Sequence, residues 1–149
     1  VISAILDEVK STLSGLLDGA LVMYDPQPIS KAEPHVRLTY TGTSDAGDVY
    51  DSVHFTLSIV AAGDGPKVFL NNLIYLSLKV HQLFAEDGGS SRTMKVSGKE
   101  CRLYIRKQLT GDGQFIQNEE NESERTQFRY TYVEPYYIEV RFPKDLRKI

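Results

Sequence analysis

The chain has 149 residues, 41% of them hydrophobic and 25% charged, which suits one globular domain over residues 1–149 with a single core. A formal net charge of −3 gives no general attraction to nucleic acid, whose binders usually carry a basic excess or a basic face. The one cysteine, Cys101, excludes an internal disulfide, and no Cys/His group has zinc-ligand spacing, so stability must come from packing.

Ile2, Ile5, Leu6, Val9, Leu13, Leu16 and Leu17 recur at three- and four-residue spacing, which predicts an amphipathic helix stopped near Gly19. Asp7, Glu8 and Lys10 deny the segment the basic start and unbroken apolar core of a secretory signal. The absent initiator Met points to trimming or to a piece of a longer chain. A short strand over Ala20–Tyr24 comes next, then "DPQPISKAEP", whose prolines remove backbone donors and make Pro26–Pro34 a connector or an edge. Val36, Leu38 and Tyr40 alternate with polar residues, as do Val53, Phe55, Leu57 and Ile59 beyond the turn "TGTSDAGD". The two runs predict an antiparallel hairpin with one apolar face.

The corner "AAGDGPKV" raises the question of a phosphate site, since a strand, a glycine turn and a helix N-terminus can cradle phosphate on free N–H groups. It lacks the lysine followed by Ser or Thr of a P-loop and does not fit G-x-G-x-x-G, and Asp64 would repel phosphate. A structural turn with Pro66 at the first helical position is expected instead. The helix then runs from Pro66 to about Phe84, where "EDGG" closes it. Its apolar residues cover most of the circumference, which predicts burial on more than one side. Asn71, Asn72, Lys79 and His81 make it too polar to span a bilayer.

Strand patterns resume at Arg92–Val96, Cys101–Leu109, Thr126–Val133 and Tyr136–Phe142, with Pro135 breaking the last pair. The order of elements predicts an α+β fold, a largely antiparallel sheet with two helices packed on it. Within "TGDGQFIQNEENESERTQ", Glu119, Glu120, Glu122 and Glu124 crowd a stretch with almost nothing apolar, which predicts a mobile loop. The C-terminal residues Arg141, Lys144, Arg147 and Lys148 are basic. This separation of acid from base marks both groups as candidate partner-binding residues.

No catalytic, cofactor-binding or metal-binding set emerges. His35, His54 and His81 belong to no H-x-x-x-H or H-E-x-x-H pattern. Cys101 lies in phase with Leu103 and Ile105, as a core thiol would. Phe128, Tyr130 and Tyr132 could stack single-stranded bases, but their period of two equally suits a core or subunit contact. "NEENESE" lacks the ligand spacing and central glycine of an EF-hand.

The serial layout, with "ISAILDEVKSTLSGLL", a proline-containing connector, "VHFTLSIVAAGDGP" leading into "NNLIYLSLKVHQLF", and a final "YYIEVRF", resembles the tail terminator or tail completion proteins of bacteriophages. It is most similar to the small proteins of Mu-like tail regions, across nearly the whole chain and without a catalytic motif. The resemblance implies a non-enzymatic protein without cofactors that forms a ring, of six copies, to cap the tail tube and make the head–tail joint. Its implied partners are itself, the tail tube protein and a head-connector protein, with no membrane and with DNA only in passage. It would be assembled in the bacterial cytoplasm and reside in the virion tail. The alternative is a small-ligand-binding or adaptor domain, which an apolar pocket with convergent polar groups would favour. A hydrolase ranks last, because the sequence pairs no nucleophile with a base.

Overall fold

A computed structural model describes residues 2–25, 34–63, 66–83, 90–107, 114–122 and 125–147, and over 114–122 and 125–135 it describes the backbone. The first helix, α1, is Ile2–Leu16, and the apolar spacing read from the sequence buries Ile5, Val9 and Leu13. Its stop is built from Asp18 and Gly19, both at positive φ (55° and 84°). The Gly19 N–H donates to the Ser14 carbonyl at 2.7 Å, satisfying an end carbonyl that the helix leaves unpaired.

The strands are β1 (Leu21–Tyr24), β2 (His35–Asp45) and β3 (Tyr50–Gly63), then β4 (Ser90–Val96), β5 (Lys99–Lys107), β6 (Gln114–Glu122) and β7 (Arg125–Pro143). Helix α2 (Pro66–Leu83) separates β3 from β4, and a 3-10 turn, Lys144–Arg147, follows β7. Six strands pair in the order β1-β2-β3-β7-β5-β4 and curl into a half-barrel, while β6 joins off that path by pairing with β7. Ser97 and Gly98 carry β4 into β5 with positive φ at both positions, the geometry a two-residue hairpin needs.

The expected fold class is corrected. Strands predominate among the described residues and the sheet is mixed, so this is a curled sheet with two helices and not a largely antiparallel sheet with two helices packed on it. Two physical causes account for the difference. First, β1 runs parallel to β2, with Leu21 opposite His35 and Tyr24 opposite Leu38, which makes the sheet mixed. Second, the register shifts between Tyr40 and Gly42 in β2, and again where Thr56 and Ser58 of β3 face Tyr137 and Val133 of β7. Such irregularities bend a strand and increase its twist, which curls the sheet. Helix α1 contacts β1 and β4, the two ends of the six-strand path, and so bridges the open side, whereas α2 packs on β3.

Two local expectations change as well. Pro135 does not end a strand: it lies in the second irregularity, where a residue without an N–H is tolerated, and β7 continues through it. The stretch expected to be a mobile loop contains β6, whose backbone pairs from Gln114↔Val133 to Glu122↔Arg125. The expected closing residues "EDGG", the Asp64–Gly65 corner and most of the proline connector lie outside the described residues.

One core joins every layer. A cross-strand row runs from Tyr40 through Phe55 and Ile138 to Ile105, and a parallel row joins Val53, Val140 and Leu103. Phe69, Leu73, Leu76 and Val80 of α2 and the buried stripe of α1 close over the same cluster. Each large apolar side chain buried there contributes roughly 1.5–3 kcal/mol before conformational entropy is subtracted. Cys101 is fully buried among them, and burial pushes its thiol above the ordinary range, so it packs as a core side chain.

Candidate interaction cleft and the outward face of the second helix

At one end of the half-barrel, a cleft of about 690 Å³ opens between the first turn of α1 and the strands β1, β2, β3 and β7. Its walls are Ile2, Leu6, Tyr24, Tyr40, Val53 and Phe55, with Val140 and Phe142 of β7 behind them. The volume lies in the range of ordinary ligand pockets, and polar groups sit at its rim as they do in such sites. Among them are Asp25, Asp45, Asp51 and Arg147.

The aromatic wall is set by strand register. Tyr24 lies 5.5 Å from Phe55 between ring centroids, and Tyr40 meets the same ring edge-on at 6.2 Å. The Tyr24 hydroxyl donates to the Leu6 carbonyl at 2.7 Å, which ties β1 to α1. Burial first, and the Asp7 carboxylate second, push that hydroxyl's pKa well above its usual value. A pKa raised in the folded state gives stability that is present below the unfolded value of about 10 and is lost as pH rises above it. Tyr24→Phe should therefore flatten the fall in stability between about pH 10 and 11, while costing about 1 kcal/mol at pH 8 for the lost hydrogen bond. Urea denaturation of both proteins at the two pH extremes measures this.

At the rim, Asp25 accepts hydrogen bonds from Arg37 Nε at 2.6 Å and from Thr39 Oγ1 at 2.5 Å. Lys144 Nζ lies 3.1 Å from Asp45 Oδ1, and Arg147 Nε 3.4 Å from Asp51 Oδ2. The Lys144 backbone N–H also donates to the Val49 carbonyl at 2.8 Å. These contacts pin the C-terminal 3-10 turn to the β2–β3 hairpin, and Lys99 adds an ion pair to Asp145.

Of the sequence-predicted partner-binding residues, Arg147 is at the cleft rim and Lys144 pairs with the rim residue Asp45. Arg141 is on the opposite face of the sheet, where its guanidinium lies 4.6 Å from the Tyr104 ring centre and its Nε 2.5 Å from Glu139 Oε2. Glu119, Glu120 and Glu122 are on β6, paired through the backbone with Phe128, Gln127 and Arg125. Glu124 and Lys148 lie outside the described residues. The described ion pairs of Arg141, Lys144 and Arg147 go to Glu139, Asp45 and Asp51.

Sequence reasoning missed two features. One is the cleft, whose walls come from segments far apart in the chain. The other is the outward face of α2. Its inward stripe is buried, yet Leu70, Ile74 and Leu78 form a four-residue-spaced ridge facing solvent, flanked by Val68 and Tyr75, and all five are about half exposed or more. The expectation of burial on more than one side is met on one side only within the chain. The structure also places Ser44 Oγ 2.8 Å from His54 Nε2, a pairing that nucleophilic catalysis uses. Among the described residues no hydrogen bond orients the other ring nitrogen, and the contact is explained as a bond across the β2–β3 hairpin.

Among the described residues, no three His, Cys, Asp or Glu side chains are grouped to hold a metal ion, and no helix is long and apolar enough to cross a membrane. No protein-family model and no curated protein sequence matches the chain.

Proposed function

We propose that this protein is a non-enzymatic tail terminator or tail completion protein of a phage or prophage, acting as a ring that caps the tail tube and forms the head–tail joint. The observation that carries the assembly part of this reading is the outward face of α2. Large contiguous apolar patches on soluble proteins often mark association surfaces, and the half-exposed ridge of Leu70, Ile74 and Leu78 supports such a role. The tail assignment itself comes from the sequence resemblance. A ring forms when identical head-to-tail contacts close by rotation, so a small domain can cover the end of a tube. The partners are further copies of the chain, a tail tube protein and a head connector, with six copies expected from the resemblance. Assembly would take place in the bacterial cytoplasm. The test is to omit the protein from assembling particles and measure tail length and head attachment.

A second reading, a small-ligand-binding domain, is favoured by the cleft, whose apolar walls and acidic rim would suit an apolar molecule carrying a cation.

A further inference from the structure

Resting on the ring reading and deepening it, we propose that the contact between neighbouring copies is the α2 ridge of one chain seated in the cleft between α1 and β1–β3 of the next. The large exposed hydrophobic side chains of the described residues fall into two groups on different elements: Tyr40, Val49 and Tyr50 around the β2–β3 hairpin, and five residues of α2. A contact that repeats head to tail needs two different, complementary patches on each chain, whereas a twofold contact needs one that matches itself. One patch here is a convex helix ridge, and of the hairpin group Tyr40 lines the concave apolar cleft, whereas Tyr50 lies on the other face of the sheet beside Tyr104 and Arg141. An amphipathic helix laid in a groove is anchored by side chains at this spacing.

Charge favours the same pairing. Helix α2 contains Lys67 and Lys79 and no acidic residue, and Lys67 is exposed. The cleft rim turns carboxylates outward: Asp45 is 81% exposed while its partner Lys144 is 27% exposed, and Asp25 is 37% exposed while Arg37 is 5% exposed. The cations lie behind, and the rim offers acid to the helix. Arg147, with Asp51, is the exception on that rim. A second copy of this chain thus suits the cleft in apolarity and, through Lys67, in charge.

The test pairs two variants in analytical ultracentrifugation, with wild-type protein run up to about 1 mM. Ile74→Glu/Leu78→Glu removes the ridge and leaves the cleft; Tyr40→Glu spoils the cleft and leaves the ridge. All three side chains are more than half exposed, so circular dichroism should show both variants folded. Wild-type should self-associate. Each variant alone should be monomeric, and their equimolar mixture should give a one-to-one dimer and nothing larger. Lys67→Glu and Asp45→Lys form a second pair on exposed side chains: each alone weakens association about tenfold, and mixing restores complementary charge at both contacts, so the mixture should associate as wild-type does. The proposal is overturned if wild-type remains monomeric, if the cleft variant still associates by itself, if the ridge and cleft variants together form no dimer, or if mixing the charge variants does not restore association. A small apolar molecule carried through purification, seen by native mass spectrometry and lost in Tyr40→Glu, would also overturn it. Tail length in particles lacking the protein is a separate readout. Normal tails with an intact one-to-one dimer would remove the tail role and leave the contact standing.

Discussion

Ile138→Ala is expected to destabilise the protein by about 2–5 kcal/mol, seen as a lower urea midpoint with an unchanged slope. Ile138 is fully buried on β7, opposite Phe55 of β3 and Ile105 of β5, at the point where three strands contribute to one cross-strand row. Truncation there removes apolar contacts from both neighbouring strands and leaves a cavity that a hydrogen-bonded sheet can close only in part. Against a typical domain stability of about 5–15 kcal/mol, the loss is large. Ile138→Val should cost only about 0.5–1.5 kcal/mol, because one methyl group leaves little space. Val140 and Phe142 continue the same face of β7 into the cleft, so the alanine variant should weaken association as well as stability.

The second large effect is expected at the Asp25–Arg37 pair. The Arg37 side chain is 5% exposed, and its Nε donates to Asp25 at 2.6 Å. Asp25→Ala leaves a buried guanidinium without its carboxylate, which costs about 3–5 kcal/mol when such a pair is fully desolvated. Asp25 is 37% exposed, so water reaches it and the loss should fall below that range, at about 1.5–3 kcal/mol. Adding Arg37→Met should restore part of that stability, since the buried guanidinium that Asp25 served is then gone. Thermal unfolding of the two single variants and the double variant tests the sign: a double variant less stable than Asp25→Ala would contradict the account.

Much of the framework was legible in the sequence wherever one face of an element meets the core. The spacing of Ile5, Val9 and Leu13 gave α1, and the alternation of Phe55, Leu57 and Ile59 gave β3 with its partner. Pro66 marked the start of α2. The missing parts depend on contacts distant in the chain. Gln114–Glu122 has the composition of a solvated loop, but β7 supplies a backbone ladder for it, and pairing overrides propensity. A parallel β1 cannot be read from four residues, because its direction is fixed by where the chain returns. Bulges at Thr41 and around Pro135 leave little trace in an alternating pattern, and they bend what reads as a flat sheet.

The candidate site was less legible for the same reason. Its walls join residues from Ile2 to Arg147, and only the fold brings them together. Helix α2 shows the limit most clearly: an apolar circumference reports that a face avoids water but not whether its own chain or another copy covers it.

The central claim, that this protein ends the growth of a tail tube, is tested most directly by electron microscopy of particles assembled without it. Tails of uncontrolled, excessive length, or tails that fail to join heads, are the predicted result, and both defects should be restored by supplying the wild-type chain but not Ile74→Glu/Leu78→Glu. Tails of normal length that still join heads would contradict it.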